Sequence, residues 1–372
     1  MTGSAIRDAL RSAKAFSDPG QVGFLIVYVT NRCNFRCDFC FYSSEIDKGQ
    51  KADEMTVDEL ARLARSTGPL LQLSLTGGEP FLRAELAGIT DEFLTHTSAR
   101  YLTIPTNGSL PDRTVAFLEH VLPRFPRTNV RVVISVEGIG EEHDRLRSMP
   151  GSFAKIGETY RALEPLRRRF ANLVLDANSV YTARSETTLE ATLLHLAREF
   201  DFDNLSITFA RGEIRDPELK EASRETYIRL NQLLESLRRR KENRLLSPLW
   251  RGVRDASRRL LIRTVFDEEF VVACTAGRKL LVVGETGEVK PCEILSRSMG
   301  NLRDFDFDLR RLLDRPDNRG LVDWIVRSRC KCSFECALSA NVVWRPGLYP
   351  RLAASAFRNM IRERQDDPSR TP

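Results

Sequence analysis

Long apolar runs are missing from this 372-residue chain: nowhere does it approach the ~18 consecutive apolar residues that a membrane-spanning helix needs. The stretch from Met1 to Gln21 also lacks the basic, apolar and small-residue succession of a secretory signal. A cytoplasmic location is therefore expected, with the cysteines reduced. No internal repeat or low-complexity tract is evident. Histidine is scarce, and His96, His120, His143 and His195 show no mutual spacing of a metal site, so each is expected at the surface or in a cap. Cysteine is absent between Cys40 and Cys274, which concentrates the eight thiols in two groups. One group is Cys33, Cys37 and Cys40; the other is Cys274, Cys292, Cys330, Cys332 and Cys336. In a reduced compartment such clustering points to metal ligation or catalysis rather than to disulfides. Strong charge is lacking too. A net +6, from 57 basic against 51 acidic residues, reads as arginine spread over solvated helix faces, so no nucleic-acid partner is expected. An anionic small substrate is compatible with it.

What is present is an ordinary globular composition, 42% hydrophobic and 29% charged, long enough for a large α/β domain and a smaller appendage. From Phe24 to Phe209 short β-branched runs alternate with helical patterns, the signature of a mostly parallel sheet with crossover helices. Six strands are predicted: Phe24 to Thr30, Leu71 to Leu75, Tyr101 to Pro105, Val130 to Val136, Leu173 to Tyr181 and Leu205 to Phe209. Helices are predicted between them, as over Met55 to Ser66 and Glu186 to Phe200. In such sheets ligands bind beyond the carboxyl ends of the strands. There this sequence carries the first cysteine group, Thr76-Gly77-Gly78-Glu79-Pro80, Thr106-Asn107-Gly108 and Ser135-Val136-Glu137-Gly138. A charged helical stretch follows from Glu218. Then comes a predicted strand pair, Phe270 to Cys274 and Lys279 to Val283, with a turn at Gly284 to Gly287, and a final helix over Tyr349 to Arg364.

Cys33-x3-Cys37-x2-Cys40 puts three thiols on one short loop directly after a buried-looking strand. Three thiolates so spaced suit three irons of a [4Fe-4S] cube and leave the fourth iron open, whereas a structural zinc site usually takes four ligands in pairs. The spacing, with an aromatic before the last cysteine, resembles the signature of the radical S-adenosylmethionine (SAM) superfamily. The likeness continues in order along the chain. Gly77-Gly78-Glu79 resembles the motif that meets the methionine ammonium. Ser135 and Glu137 stand where the family places polar groups near ribose and methionine, and Asn178, Ser179 and Arg184 where relatives recognise the carboxylate or the sugar. Phe39 and the stretch from Phe209 to Gly212 resemble backbone that meets adenine, and His143-Asp144-Arg145-Leu146-Arg147 resembles a segment of members with auxiliary clusters. The resemblance covers roughly residues 22 to 215 and implies a partial (β/α)6 barrel.

Cys274, Gly287, Cys292 and Cys330-x-Cys332-x3-Cys336 resemble a truncated SPASM or twitch domain. That likeness implies one auxiliary [4Fe-4S] cluster held by four of the five cysteines, in a small C-terminal α+β domain. Cys332 and Cys336 are the expected pair and Cys330 the expected spare, which is inert, an alternative ligand or a hydrogen donor. Zinc is the alternative at this group. The implied organisation is an extension over 1–21, the barrel over 22–215, a helical bridge over 216–264, the auxiliary domain over 265–340 and a helix and tail over 341–372.

The resemblance implies an enzyme with two clusters, fed by a flavodoxin or ferredoxin type reductant, that splits SAM and abstracts hydrogen from a small-molecule or peptide substrate. With about twenty residues before the first strand and no recognisable peptide-recognition domain there, a sugar, nucleotide or similar metabolite is the expected substrate. A ribosomal-peptide maturase of the same superfamily is the alternative, and a non-enzymatic iron-sulfur or zinc interaction protein is a third reading.

Overall fold

The computed structural model describes residues 14–49, 53–237, 247–350 and 353–354. The strand Phe24–Thr30 is buried on both faces, whereas most of the other parallel strands alternate, with one set of apolar side chains buried and the other, largely polar set turned to a cavity at their carboxyl ends. Strands β1 (Phe24–Thr30), β2 (Gln72–Gly77), β3 (Tyr101–Thr106), β4 (Asn129–Ser135), β5 (Leu173–Tyr181) and β6 (Asn204–Phe209) pair in sequence order, each parallel to the next. This is the strand order of a partial (β/α)6 barrel.

Between the strands run helices α1 (Ser43–Lys48), α2 (Val57–Thr67), α3 (Leu86–Thr97), α4 (Pro111–Arg124), α5 (Glu141–Leu146), α6 (Ser152–Arg169) and α7 (Leu189–Glu199). Helix α2 shows why these segments are helical. Thr56 accepts from the Glu59 amide while the Glu59 carboxylate accepts from the Thr56 amide, a capping box, and Gly68 follows the last turn. Leu60, Ala61, Leu63 and Ala64 then fall on its buried face.

Beyond the barrel come α8 (Arg224–Leu237), α9 (Ser247–Val265), α10 (Leu309–Leu313), α11 (Pro316–Arg327) and α12 (Glu335–Val343), with strands β7 (Leu280–Val283), β8 (Glu288–Lys290) and β9 (Gly300–Asn301). The C-terminal strands continue the barrel's sheet. Strand β7 pairs parallel with β1, β8 pairs antiparallel with β7 and β9 antiparallel with β8, in the order β6-β5-β4-β3-β2-β1-β7-β8-β9. The hairpin is therefore β7 with β8 around the Gly284 turn, where Gly287 adopts φ +90°. The predicted strand over Phe270 to Cys274 is irregular chain instead; only an isolated bridge from Ala276 to Leu280 lies there. The helix predicted from Tyr349 to Arg364 lies largely outside the described residues.

Strand β1 joins two cores because its side chains alternate. Leu25, Val27 and Val29 pack with the helices of the barrel's outer layer, while Phe24, Ile26 and Tyr28 pack with Leu261 of α9 and with Phe334 and Leu338 of the last segment. The C-terminal part thus closes the inner side of the barrel against β1. Among the described residues no helix is long and apolar enough to cross a membrane.

Candidate functional site

The chain leaves β1 at Thr30 and turns back at once, with the Cys40 amide donating to the Cys37 carbonyl at 3.2 Å and the Ser43 amide to the Cys40 carbonyl at 3.2 Å. This turn carries Cys33, Cys37 and Cys40, all free thiols, on the wall of a cavity of about 370 Å³ at the carboxyl ends of the barrel strands. Strand β2 pins the loop. The Gly78 amide donates to the Thr30 carbonyl at 2.9 Å and the Glu79 amide to the Arg32 carbonyl at 2.8 Å. Only glycine permits this approach, since a Cβ on Gly77 would lie 2.1 Å from the Thr30 oxygen and one on Gly78 2.2 Å from the Arg32 oxygen. The two glycines line the cavity, and their lack of side chains first serves the packing of one backbone on another.

Glu79, 1% exposed, accepts from the Asn107 amide at 2.8 Å, the Thr106 hydroxyl at 3.0 Å and the Phe81 amide at 3.1 Å. Burial pushes its carboxyl up to about 7, and those donors and Arg147 hold it from going further. Phe39, Ser135 and Asn178 share the same lining, as do Phe209, Ala210 and Arg211 beyond β6. Asn178 is oriented by its neighbours, donating to Thr208 at 3.0 Å and accepting from Ser206 at 2.9 Å.

Two expected positions fall elsewhere. Glu137 is absent from the lining. It is buried behind it, accepting from Arg147 at 2.6 Å and from the Val180 amide at 2.6 Å. Strand β4 ends at Ser135, so the alternation that would align Glu137 with Ser135 stops there. Arg184 is also outside the cavity, paired with Asp38 and Asp216 at 3.3 Å each, where it ties the cysteine loop to the chain after β6. Ser179 is buried and donates to the Val136 carbonyl.

Arg147 was unassigned by the sequence and proves central. It lines the cavity, reaches Cys37 Sγ at 3.7 Å, holds Glu137 and stands 5.4 Å over the Phe39 ring. Burial alone would favour its neutral form, but Cys37 and Glu137 outweigh that and raise its pKa, so it is a fixed cation. Its neighbours in sequence are structural. His143 accepts from the Glu137 amide at 3.0 Å, and burial lowers its pKa to about 3, keeping it neutral; Asp144 accepts from the Gly151 and Phe153 amides at 2.6 and 2.8 Å, at the start of α6. The signal for Arg147 was its place in that short charged segment after β4.

The donor chemistry of both cysteine groups fits iron-sulfur clusters. Burial pushes Cys33 up to about 12 and Cys40 up to about 11, so in the cavity alone these thiols hold their protons. Thiolate ligation there needs the positive charge of bound iron. Amides two or three residues on already point at the sulfurs: Phe35 to Cys33 at 3.4 Å, Ala276 to Cys274 at 3.5 Å, Leu295 to Cys292 at 3.3 Å and Phe334 to Cys332 at 3.4 Å. Such donors favour the thiolate. Among the described residues no three potential ligands gather closely enough for a single metal ion. In the second group burial, with Cys274, Cys292 and Cys330 nearby, pushes Cys332 up to about 12. Cys336 differs. It lines the barrel cavity, with Glu293, Arg211 and Glu335 as its chief charged neighbours. The sequence had singled out Cys330 as the spare.

Residues 27–175 match the profile of the radical SAM superfamily. The GTP 3′,8-cyclase of Pseudomonas syringae pv. syringae is 28% identical over 138 residues, which are 37% of this chain and 40% of that protein. The chain thus spans less than half the length of this curated relative. A solved structure of native anSMEcpe with bound AdoMet shares 17% identity, with a TM-score of 0.59, over 90% of this chain and 99% of that one. Streptococcus suis SuiB bound to the precursor peptide SuiA gives 16% and 0.56 over 91% and 74%. At these identities the two structures establish a shared fold.

Proposed function

This chain carries a radical SAM superfamily domain over residues 27–175, and on that premise we propose that it cleaves SAM reductively and uses the radical on a peptide. The carrying observation is that the three thiols, Glu79, Ser135, Asn178 and Arg147 line one cavity at the strand ends. Cys33, Cys37 and Cys40 would hold the first [4Fe-4S] cluster. When bound, that cluster supplies the electron that splits SAM into methionine and a 5′-deoxyadenosyl radical.

The chain's own residues do the rest. Glu79 and the carbonyls beside Gly77 and Gly78 offer acceptors to the methionine ammonium. Arg147 offers a cation to its carboxylate and holds Glu137 in place. Asn178 and Ser135 offer hydrogen bonds to the sugar. The C-terminal segment, packed on the inner side of β1, excludes water from the cavity. Cys274, Cys292, Cys330 and Cys332 would hold the auxiliary cluster, leaving Cys336 as a thiol on the cavity wall.

The peptide reading takes the place of the sugar or nucleotide expected from sequence. It is supported by the fold shared with anSMEcpe and SuiB, both also solved with peptides. A nucleotide is the second reading, favoured by the likeness of the barrel to GTP 3′,8-cyclases. The test is anaerobic turnover of reconstituted protein with dithionite and SAM, following 5′-deoxyadenosine by chromatography. The proposal expects peptides to stimulate its formation and GTP not to. Stimulation by GTP alone would install the second reading.

A further inference from the structure

A second cavity, of about 490 Å³, adjoins the first and shares Phe41, Tyr42 and Glu293 with it as a common wall. Tyr28 of β1 and Val282 of β7 line its floor. The shared wall is well braced: Glu293 accepts from the Tyr28 hydroxyl at 2.9 Å and pairs with Arg211 at 2.9 Å, and Arg211 stands 4.6 Å over the Phe41 ring.

The rest of the lining is acidic, with Glu45, Asp53, Glu54, Glu213, Glu285 and Glu288 against Lys48 and Lys290. Part of this charge is matched in place, as Lys48 pairs with Glu45 at 2.7 Å, Arg83 with Glu54 at 2.8 Å and Lys290 with Glu288 at 3.1 Å. Glu285 has no direct ion pair. It is 7% exposed and its carboxylate accepts from the Tyr42 hydroxyl, but among the described residues no cation contacts it, and Lys48 acts on it only at longer range. A buried carboxylate without a direct ion pair has room for a ligand that brings a cation.

Asn31 supplies an independent observation. It lines the same cavity at 5% exposure, and its Nδ2 donates to the Glu45 carbonyl at 3.2 Å, which fixes which way the amide faces. Its Oδ1 is left buried with no donor. A carboxylate without a direct ion pair and an amide oxygen without a donor, on one cavity, call for the same partner: a positively charged N–H donor.

We propose that this second cavity receives a lysine or arginine side chain of the peptide substrate, through Glu285, Glu213 and Asn31, while the neighbouring part of the peptide enters the barrel cavity across the Phe41–Tyr42 wall. This rests on the peptide reading above and adds the charge that the peptide must carry.

The test is calorimetric titration of the reconstituted, SAM-loaded protein, under anaerobic conditions, with acetyl-pentalysine amide and acetyl-pentaglutamate amide. The lysine peptide is expected to bind and the glutamate peptide not. Glu285→Gln is expected to weaken the lysine peptide at least tenfold and Glu213→Gln several-fold. Glu213 is exposed, so its variant carries the test if Glu285→Gln no longer unfolds cooperatively. Failure of the lysine peptide to bind, or equal binding by wild type and folded variants, overturns the proposal. Formation of 5′-deoxyadenosine by the wild-type protein without peptide is measured on the same sample. Its absence defeats the SAM-cleavage reading and leaves the binding result to be judged alone.

Discussion

Replacing Gly78 by alanine tests whether the cysteine loop is held in shape by β2. The new Cβ would sit 2.2 Å from the Arg32 carbonyl oxygen and 2.5 Å from its carbon, both backbone atoms that no rotamer change can move. Relieving the closer contact from 2.2 to 3.0 Å shifts one of the two chains by roughly 0.8 Å. The amide bonds from Gly78 to Thr30 and from Glu79 to Arg32, at 2.9 and 2.8 Å, lie within that shift. Overpacking costs about 1–3 kcal/mol, and two weakened hydrogen bonds about 0.5–1.5 kcal/mol each. A destabilisation of about 2–6 kcal/mol is therefore expected, concentrated on the loop that bears Cys33, Cys37 and Cys40. Urea unfolding of the apo-protein reads the first quantity, and iron per chain after anaerobic reconstitution reads the second. Iron at the first site should fall well below that of wild type while the auxiliary site loads normally. A Gly78→Ala protein with wild-type stability and a full iron complement would refute the reasoning.

Other consequences follow from the same geometry. Arg147→Met leaves Glu137 buried without its cation and should cost about 3–5 kcal/mol; a double-mutant cycle with Glu137→Gln in urea unfolding should recover much of it. Burial raises the Glu79 carboxyl from an ordinary value of 4.5 to about 7, so the native state holds a proton that the unfolded chain releases first. Stability of the apo-protein should therefore fall as pH rises from about 4.5 through 7, by up to about 3 kcal/mol from this group, and Glu79→Gln should flatten that slope. Reconstituted wild type should hold about eight irons per chain, a number that Cys336→Ala preserves and Cys330→Ala lowers; the opposite outcome would return the spare role to Cys330. Arg184→Ala, removing exposed pairs outside the cavity, should change stability by less than about 1 kcal/mol in urea unfolding.

The barrel was legible because its strands are short β-branched or alternating apolar segments bounded by turn residues, and the predicted span of β1 and of β5 coincides with the observed one. The cavity was legible where its lining sits at a strand end, as with Ser135 and the Gly77-Gly78-Glu79 turn. Reasoning from position failed one step further on. Glu137 lies past the end of β4, where strand alternation no longer dictates direction, and Arg184 lies on a turn capped by Thr182 that carries it outward to Asp38 and Asp216. The hairpin was misread because Cys274 ends an apolar stretch that resembles a strand, yet only Leu280–Val283 finds a pairing partner in β1. The acidic cavity had no sequence signature at all. Glu45, Glu213 and Glu285 come from three distant parts of the chain, and only the folding of β7 against β1 brings them to one wall.

The central claim is that Cys33, Cys37 and Cys40 build the centre that starts the chemistry. Anaerobic incubation of the Cys33→Ala, Cys37→Ala, Cys40→Ala triple variant with dithionite and SAM tests it most directly. Wild type is expected to form 5′-deoxyadenosine and the variant none, while its auxiliary site still takes up iron; 5′-deoxyadenosine from the triple variant at the wild-type rate would overturn that assignment.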